Sequence, residues 1–201
     1  MSLKSCLNIK SRLHHQVGAF LLVVIFSASA SHAGEVLDSH VGTHEGHYLL
    51  RIDMLIDADT DRVRQLMTDY AHLDRLSTRI TRSELLESNT PQYRVRVTTN
   101  GCVLFFCREL VQVQDVSELP NGYIIVTALP EMSDFTYSKN VWRIRAQNDR
   151  TRVTYSSDLV PDFWIPPLFG TAIFKSQLLE EARQVIENLE RLANLPDDPV
   201  K

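Results

Sequence analysis

Two cysteines, three clustered histidines and a scatter of aromatics and acids are the residues of this chain whose types could do chemistry. Cys102 and Cys107 are five positions apart. A disulfide wants its Cα atoms about 5.5 Å apart. On one extended strand these two would stand roughly 16 Å apart, at about 3.3 Å per residue, and on opposite faces. A bridge therefore requires Val103-Leu104-Phe105-Phe106 to turn back as an apolar loop, which if exposed would resemble a membrane-inserting tip. The alternative makes Asn100-Gly101, the strongest hairpin signal in the chain, the turn, with Phe105 or Phe106 directed into the core. Neither cysteine has a histidine near it in sequence, so the pair does not read as a nucleophile or a zinc site.

His40, His44 and His47 flank Glu45. Neutral imidazole is a common metal ligand, but this spacing fits no standard metal site, and His44 and His47 bracket a turn that water should reach. A polar hairpin, without metal or cofactor, is expected. Asp158, Asp162, Glu109 and Arg108 could each place a charge in a cavity, and an inward acid beside an inward Tyr155 could do acid–base work. The competing reading has these charges at strand ends facing water. No nucleophile elbow, phosphate loop or HExxH stands in the sequence. No catalytic residue is assigned, and whether the protein is an enzyme stays open.

The element that must organise these groups is a helix expected over 166–194. Pro166 and Pro167 suit a first turn, where a missing N–H costs nothing, and Pro196 stops the helix. At 100° per residue, Phe174, Leu178, Leu179, Ala182, Val185, Ile186, Leu189, Leu192 and Ala193 form one stripe, with Glu180, Glu181, Gln184, Glu187 and Arg191 opposite. Lys175 projects into the stripe. It either snorkels its amine past the sheet edge or stands as a cation at the mouth of a cavity. A stripe of this length, roughly 40 Å, needs a large apolar surface to cover it.

That surface is expected to be a sheet. Strands are read at 36–43 and 47–58, joined at Glu45-Gly46, then a short helix from about Asp61 behind the capping residues Asp57 to Thr60. A second short helical piece should run from Asp69 to near Leu76. Further strands follow at 79–87, 93–99, 103–116, 123–128, 135–146 and 152–160. Their alternation, as in Tyr93, Val95, Val97 against Arg94, Arg96, Thr98, gives one buried and one wet face. Strands, short helices, a meander and one long helix make an α+β domain.

Residues 1–33 carry Lys4, Lys10 and Arg12 but no acid, then an apolar run over 17–30 and a small-residue Ser31-His32-Ala33. This is the layout of a secretory signal cut before Gly34. The run of about 14 residues is shorter than the roughly 20 that span a bilayer. The expected organisation is a signal peptide over 1–33, one domain over 34–196 and a tail over 197–201. Export predicts a periplasmic protein in a double-membraned bacterium, and favours a disulfide between Cys102 and Cys107. Removing three basic residues leaves 18 against 25 acids, a net charge of −7. Such a balance argues against a nucleic-acid partner and against simple docking on an anionic membrane.

The layout resembles the helix-grip fold of the START-type superfamily, which includes polyketide cyclases, lipid carriers, pollen allergens and coenzyme Q-binding proteins. Asp57-Ala58, Asp69-Tyr70 with Leu73, Trp142 in a late strand, and Val160-Pro161 leading to Pro166-Pro167 look like the bacterial cyclase/dehydrase branch. The resemblance covers about 36–194. It implies a curved antiparallel sheet wrapped around the long helix, with an apolar pocket between them. Tyr93, Phe105, Tyr137, Trp142, Tyr155 and Phe174 are then available to line it, with Leu178 and Ala182 on the helix and Lys175 towards its mouth. One by one, each aromatic reads equally well as core. The expected function is an exported binding protein for a lipid or isoprenoid quinone, with transient membrane contact. The rivals are a cyclase or dehydrase and a protein-binding module.

Overall fold

The computed structural model describes residues 34–103, 106–163 and 170–195. Eight strands form one antiparallel sheet: β1 (Glu35–His44), β2 (His47–Ile56), β3 (Ile80–Asn89), β4 (Gln92–Val103), β5 (Phe106–Leu119), β6 (Tyr123–Ala128), β7 (Phe135–Gln147) and β8 (Arg150–Pro161). Their spatial order is β1-β2-β8-β7-β6-β5-β4-β3. Helix α1 (Thr60–Met67) follows β2, and α2 (Gly170–Ala193) closes the described chain. This is the α+β domain that the alternation and the long amphipathic stripe predict, in the helix-grip arrangement that the resemblance implies.

The local chemistry explains the elements. Asp59 caps α1, its carboxylate accepting from the Asp61 and Arg62 amides, which satisfies donors the helix cannot. Glu45 and Gly46 both take positive φ, 50° and 85°, the backbone a two-residue hairpin needs. Asn121 and Gly122, at 63° and 78°, turn β5 into β6. The second helical piece is shorter than expected: only Leu73–Arg75 forms a 3-10 turn.

The Asn100-Gly101 expectation fails. β4 runs straight through it, Asn100 pairing with Glu109 and Gly101 with Arg108, and the ladder continues to Val103↔Phe106. Asn-Gly makes a hairpin turn only where both residues can take positive φ, and neither does. Cross-strand pairing beyond the dipeptide overrides the local preference. Cys102 and Cys107 are therefore not on one strand; they face each other in register, and Cys107 is disulfide-bonded. The helix expected from Pro166 is described from Gly170, and Pro166 to Phe169 lie outside the described residues.

On the concave face, β2 gives Leu50, Ile52, Met54 and Ile56; Ile52 pairs with Tyr155 of β8 and Tyr155 with Trp142 of β7, and Met54 pairs with Val153 and Val153 with Ile144. Against the C-terminal half of α2 this face is closely filled. Ile56, Val63, Ile144, Val153 and Leu189 belong to one cluster and are at most 1% exposed. Helix α1 packs against α2, β7 and β8 there. It supplies the third side of the core.

Candidate functional site

Toward the N-terminal half of α2 no helix among the described residues takes the place of α1, and a cavity of about 450 Å³ lies between helix and sheet. Its floor is apolar: Ile52, Met54, Ile124 and Val126 are all buried. Its mouth lies where β4 ends beside the β3 entry. Asn100 there is exposed, and Arg79 and Gln177 are partly so. Phe174 lays its ring on Tyr48, centroids 4.7 Å apart, which pins the helix to β2.

Of the residues expected at a pocket, Trp142, Tyr155, Phe174, Leu178 and Ala182 line this cavity. Trp142 and Tyr155 lie ring against ring at 4.2 Å, because the register pairs them directly across β7 and β8. Three other expectations are corrected. Tyr93 does not line it: Tyr70 takes that position and Tyr93 packs behind, centroids 5.0 Å apart. Tyr137 sits out of phase with Trp142 on β7 and points away, 39% exposed, against His47 at 5.5 Å. Lys175 is exposed and absent from the lining, because Phe174 makes the sheet contact at that level. Phe105 lies outside the described residues.

The charges expected as cavity candidates lie elsewhere. Asp158 holds His47 at 2.6 Å. Arg108 pairs with Asp134 at 2.6 Å and caps the Phe163 ring at 5.0 Å. Glu109 is exposed. Among the described residues, the charged side chains of the lining are instead Arg79 and Glu181. Arg79 Nε meets Glu181 Oε2 at 2.8 Å, and the Ser77 hydroxyl donates to Glu181 Oε1. By helix phase Glu181 falls opposite the apolar stripe, on the side expected to face water. The overlooked signal is Gln177, Glu181, Gln184 and Asn188, spaced four, three and four, which puts them on one helical edge. All four bond to the segment before β3: Arg79 to Gln177 at 3.4 Å, the Thr78 amide to Gln184 at 3.0 Å, Asn188 to the Leu76 carbonyl at 3.1 Å. Polar residues there fasten a loop that walls the cavity.

A second polar group lies on the β5–β7–β8 wall. Tyr155 Oη donates to Asn140 Oδ1 at 2.9 Å, and Ser138 Oγ accepts from Gln112 Nε2 at 3.2 Å and Asn140 Nδ2 at 3.4 Å. β6 stops at Ala128, opposite Gln114, so Gln112 reaches Ser138 with no strand between. Ser157 is the register partner of both Asn140 and Leu50. Its buried Oγ has no hydrogen-bond partner among the described residues. Burial pushes the Tyr155 phenol up, and the neighbouring Ser157 hydroxyl tempers the rise without reaching hydrogen-bonding geometry. Burial also raises Tyr70, helped by the bond from its hydroxyl to Glu118 at 2.9 Å. Phenols held protonated in this way donate hydrogen bonds; they do not take protons. The cavity presents an apolar body, buried donors on one wall and a neutralised ion pair on the other.

A curved antiparallel sheet gripping a long C-terminal helix over a cavity defines the START-type class of small-molecule-binding folds. The family described as polyketide cyclase / dehydrase and lipid transport matches residues 50–194, and the chain belongs to it. Solved structures agree on the fold. A START superfamily protein from Mycobacterium smegmatis is 15% identical with a TM-score of 0.58, covering 74% of this chain and 97% of its own. An aromatase/cyclase from a Streptomyces species is 13% identical at 0.60, covering 73% and 93%. A STAR-related lipid transfer protein from Xanthomonas axonopodis is 16% identical at 0.55, covering 78% and 99%. No curated protein sequence matches the chain.

Proposed function

We propose that this protein is an exported, periplasmic carrier of a hydrophobic small molecule, a lipid or isoprenoid quinone, held under the N-terminal half of α2. The observation that carries the reading is the cavity itself: about 450 Å³ with a floor of buried aliphatic side chains. That size falls within the roughly 300–1,000 Å³ of small-molecule sites, and an apolar lining with few convergent polar groups is their usual character. Export is supported by the basic, then apolar, then small-residue order of residues 1–33. A ligand of this class resides in membranes, so loading would involve transient membrane contact. The cavity residues Trp142, Tyr155, Phe174, Leu178 and Ala182 would contact it.

Mass spectrometry of organic extracts from the protein purified out of the periplasm tests the reading. An apolar species recovered in near-stoichiometric amount supports it. A protein recovered empty that also takes up no neutral apolar dye would sink it and move a protein-binding role ahead. One observation favours an enzyme of the cyclase or dehydrase kind: an acid, Glu181, does stand in the cavity wall. Its Oε1 accepts from Ser77 and its Oε2 is ion-paired with Arg79 without a hydrogen bond of its own, which ties it into the wall.

A further inference from the structure

We infer that removal of the signal peptide completes the fold: the cut before Gly34 leaves an α-ammonium that docks on the Glu190 carboxylate at the C-terminal end of α2. The inference rests on the export reading and deepens it. Neither residue lines the cavity; the docking belongs to the filled end of the molecule.

Gly34 stands immediately before β1, whose first residue, Glu35, pairs with Leu55. It sits in a notch with no room for a side chain. A Cβ built there would overlap Glu190 Oε1, Ile186 Cγ2 and the Leu55 carbonyl oxygen. At ordinary bond lengths, that overlap sets the Gly34 nitrogen within about 5 Å of the Glu190 carboxylate. The end of β2 and the last turns of α2 make the seat together.

Glu190 is badly placed for an acid. It lies in the last turn of a helix that ends at Ala193, where the aligned peptide dipoles favour a cation and oppose an anion. It is half-buried. Its Oε1 accepts from the Asp57 amide at 2.8 Å, and no cation pairs with the carboxylate among the described residues. The arginines on either side are turned elsewhere: Arg191 donates to Asn188, and Arg150 lies 3.8 Å from Glu35. A carboxylate drawn partly out of water needs a counter-charge.

In the uncut chain the Gly34 nitrogen is a neutral amide. Hydrolysis of the Ala33–Gly34 bond adds one water across it. The Ala33 carbonyl leaves with the signal as a carboxylate, and Gly34 keeps the nitrogen as an ammonium, largely protonated at neutral pH. That one step gives the Glu190 carboxylate a partner and the helix end a cation. It also ties the edge strand β1 to α2, so the exported form is held more tightly than its precursor.

The test uses the full chain expressed in a double-membraned bacterium and recovered from the periplasm. Beside it stands a variant with Gly-Ser-Gly-Ser inserted between Ala33 and Gly34, which keeps the cut but carries the new terminus away. Each is made with and without Glu190→Gln, which keeps an oxygen for the Asp57 amide and removes only the charge. N-terminal sequencing reads the cut, and thermal melts read the docking. The chain beginning at Gly34 should melt about 2–6 °C above its extended form. In the Glu190→Gln background the two should coincide. Equal melting of the two without Glu190→Gln, or the same loss in both backgrounds, overturns the docking while the export reading stands. A first residue other than Gly34, or recovery of the chain uncut in the cytoplasm, overturns the cut itself and the inference with it.

Discussion

Toward its C-terminus α2 sets Ile186 and Leu189 into a cluster with Ile56, Val63, Ile144 and Val153, none more than 3% exposed. Toward its N-terminus the same helix sets Phe174 and Leu178 beside Leu50, Asn140 and Tyr155 around a cavity. The helix pattern is equally apolar at both ends, so the difference does not come from the helix. It goes with α1, whose Val63 and Leu66 join the cluster around Leu189 while its last residue, Met67, reaches the edge of the cavity. A curved sheet and a straight helix diverge along their length, and where no third element fills the gap, side chains alone do not close it. Stability is concentrated at one end of the grip, and room for a ligand at the other.

The sharpest way to break this contrast is Leu189→Ala. A leucine at 0% exposure in a packed cluster should cost about 2–5 kcal/mol on truncation, read by urea denaturation. Glycine at position 34 probes the same end by addition. A Cβ there would lie 2.6 Å from the Leu55 carbonyl oxygen and closer still to Ile186 and Glu190. Gly34→Ala should cost about 1–3 kcal/mol by overpacking. If both substitutions are silent, the filled end is not filled.

A milder probe sits on the outer face of β2. Asp53, 5% exposed, accepts from Arg152 Nε at 2.8 Å and 3.1 Å. These bonds hold its carboxyl below the ordinary aspartate value, against the opposing pull of burial. A lowered folded pKa means stability that is present above the unfolded value near 3.8 and lost as pH falls through the folded one. Asp53→Asn should therefore lower Tm at pH 7 and flatten the fall in Tm below pH 4. An unaltered acid profile would show that the Arg152 pair is not set by folding. At the bottom of the scale, Glu187→Ala, on the exposed side of α2, should change stability by less than about 0.5 kcal/mol.

The same contrast marks what the sequence makes legible. The stripe from Phe174 to Ala193 and the alternation of the strands announce a helix over a sheet, because both are periodic and local. Trp142, Tyr155, Phe174 and Leu178 could be placed by parity and helix phase alone. The same parity puts Tyr137 on the opposite face from Trp142, so its aromatic type alone does not make it a lining residue. The Asn100-Gly101 dipeptide misleads because hairpin preference is a property of two residues, whereas the register through Cys102↔Cys107 belongs to two whole strands. The Gln112–Ser138–Asn140 group could not be foreseen, since it depends on β6 stopping one residue pair short between two partners far apart in sequence. The edge of Gln177, Glu181, Gln184 and Asn188 was visible in its spacing, but its partners before β3 were not.

The central claim is that the space under the N-terminal half of α2 is where a hydrophobic molecule is held. Leu178 lines that space and is only half-buried, so Leu178→Trp should fill it without disturbing the cluster around Leu189. Uptake of the neutral dye phenylnaphthylamine, measured by its fluorescence beside a thermal melt, tests this directly. The account predicts saturable uptake by the wild-type protein and at least about a tenfold loss in Leu178→Trp, with both proteins melting within a few degrees of each other. Equal uptake by the two folded proteins would contradict it, and would place the ligand somewhere other than under α2.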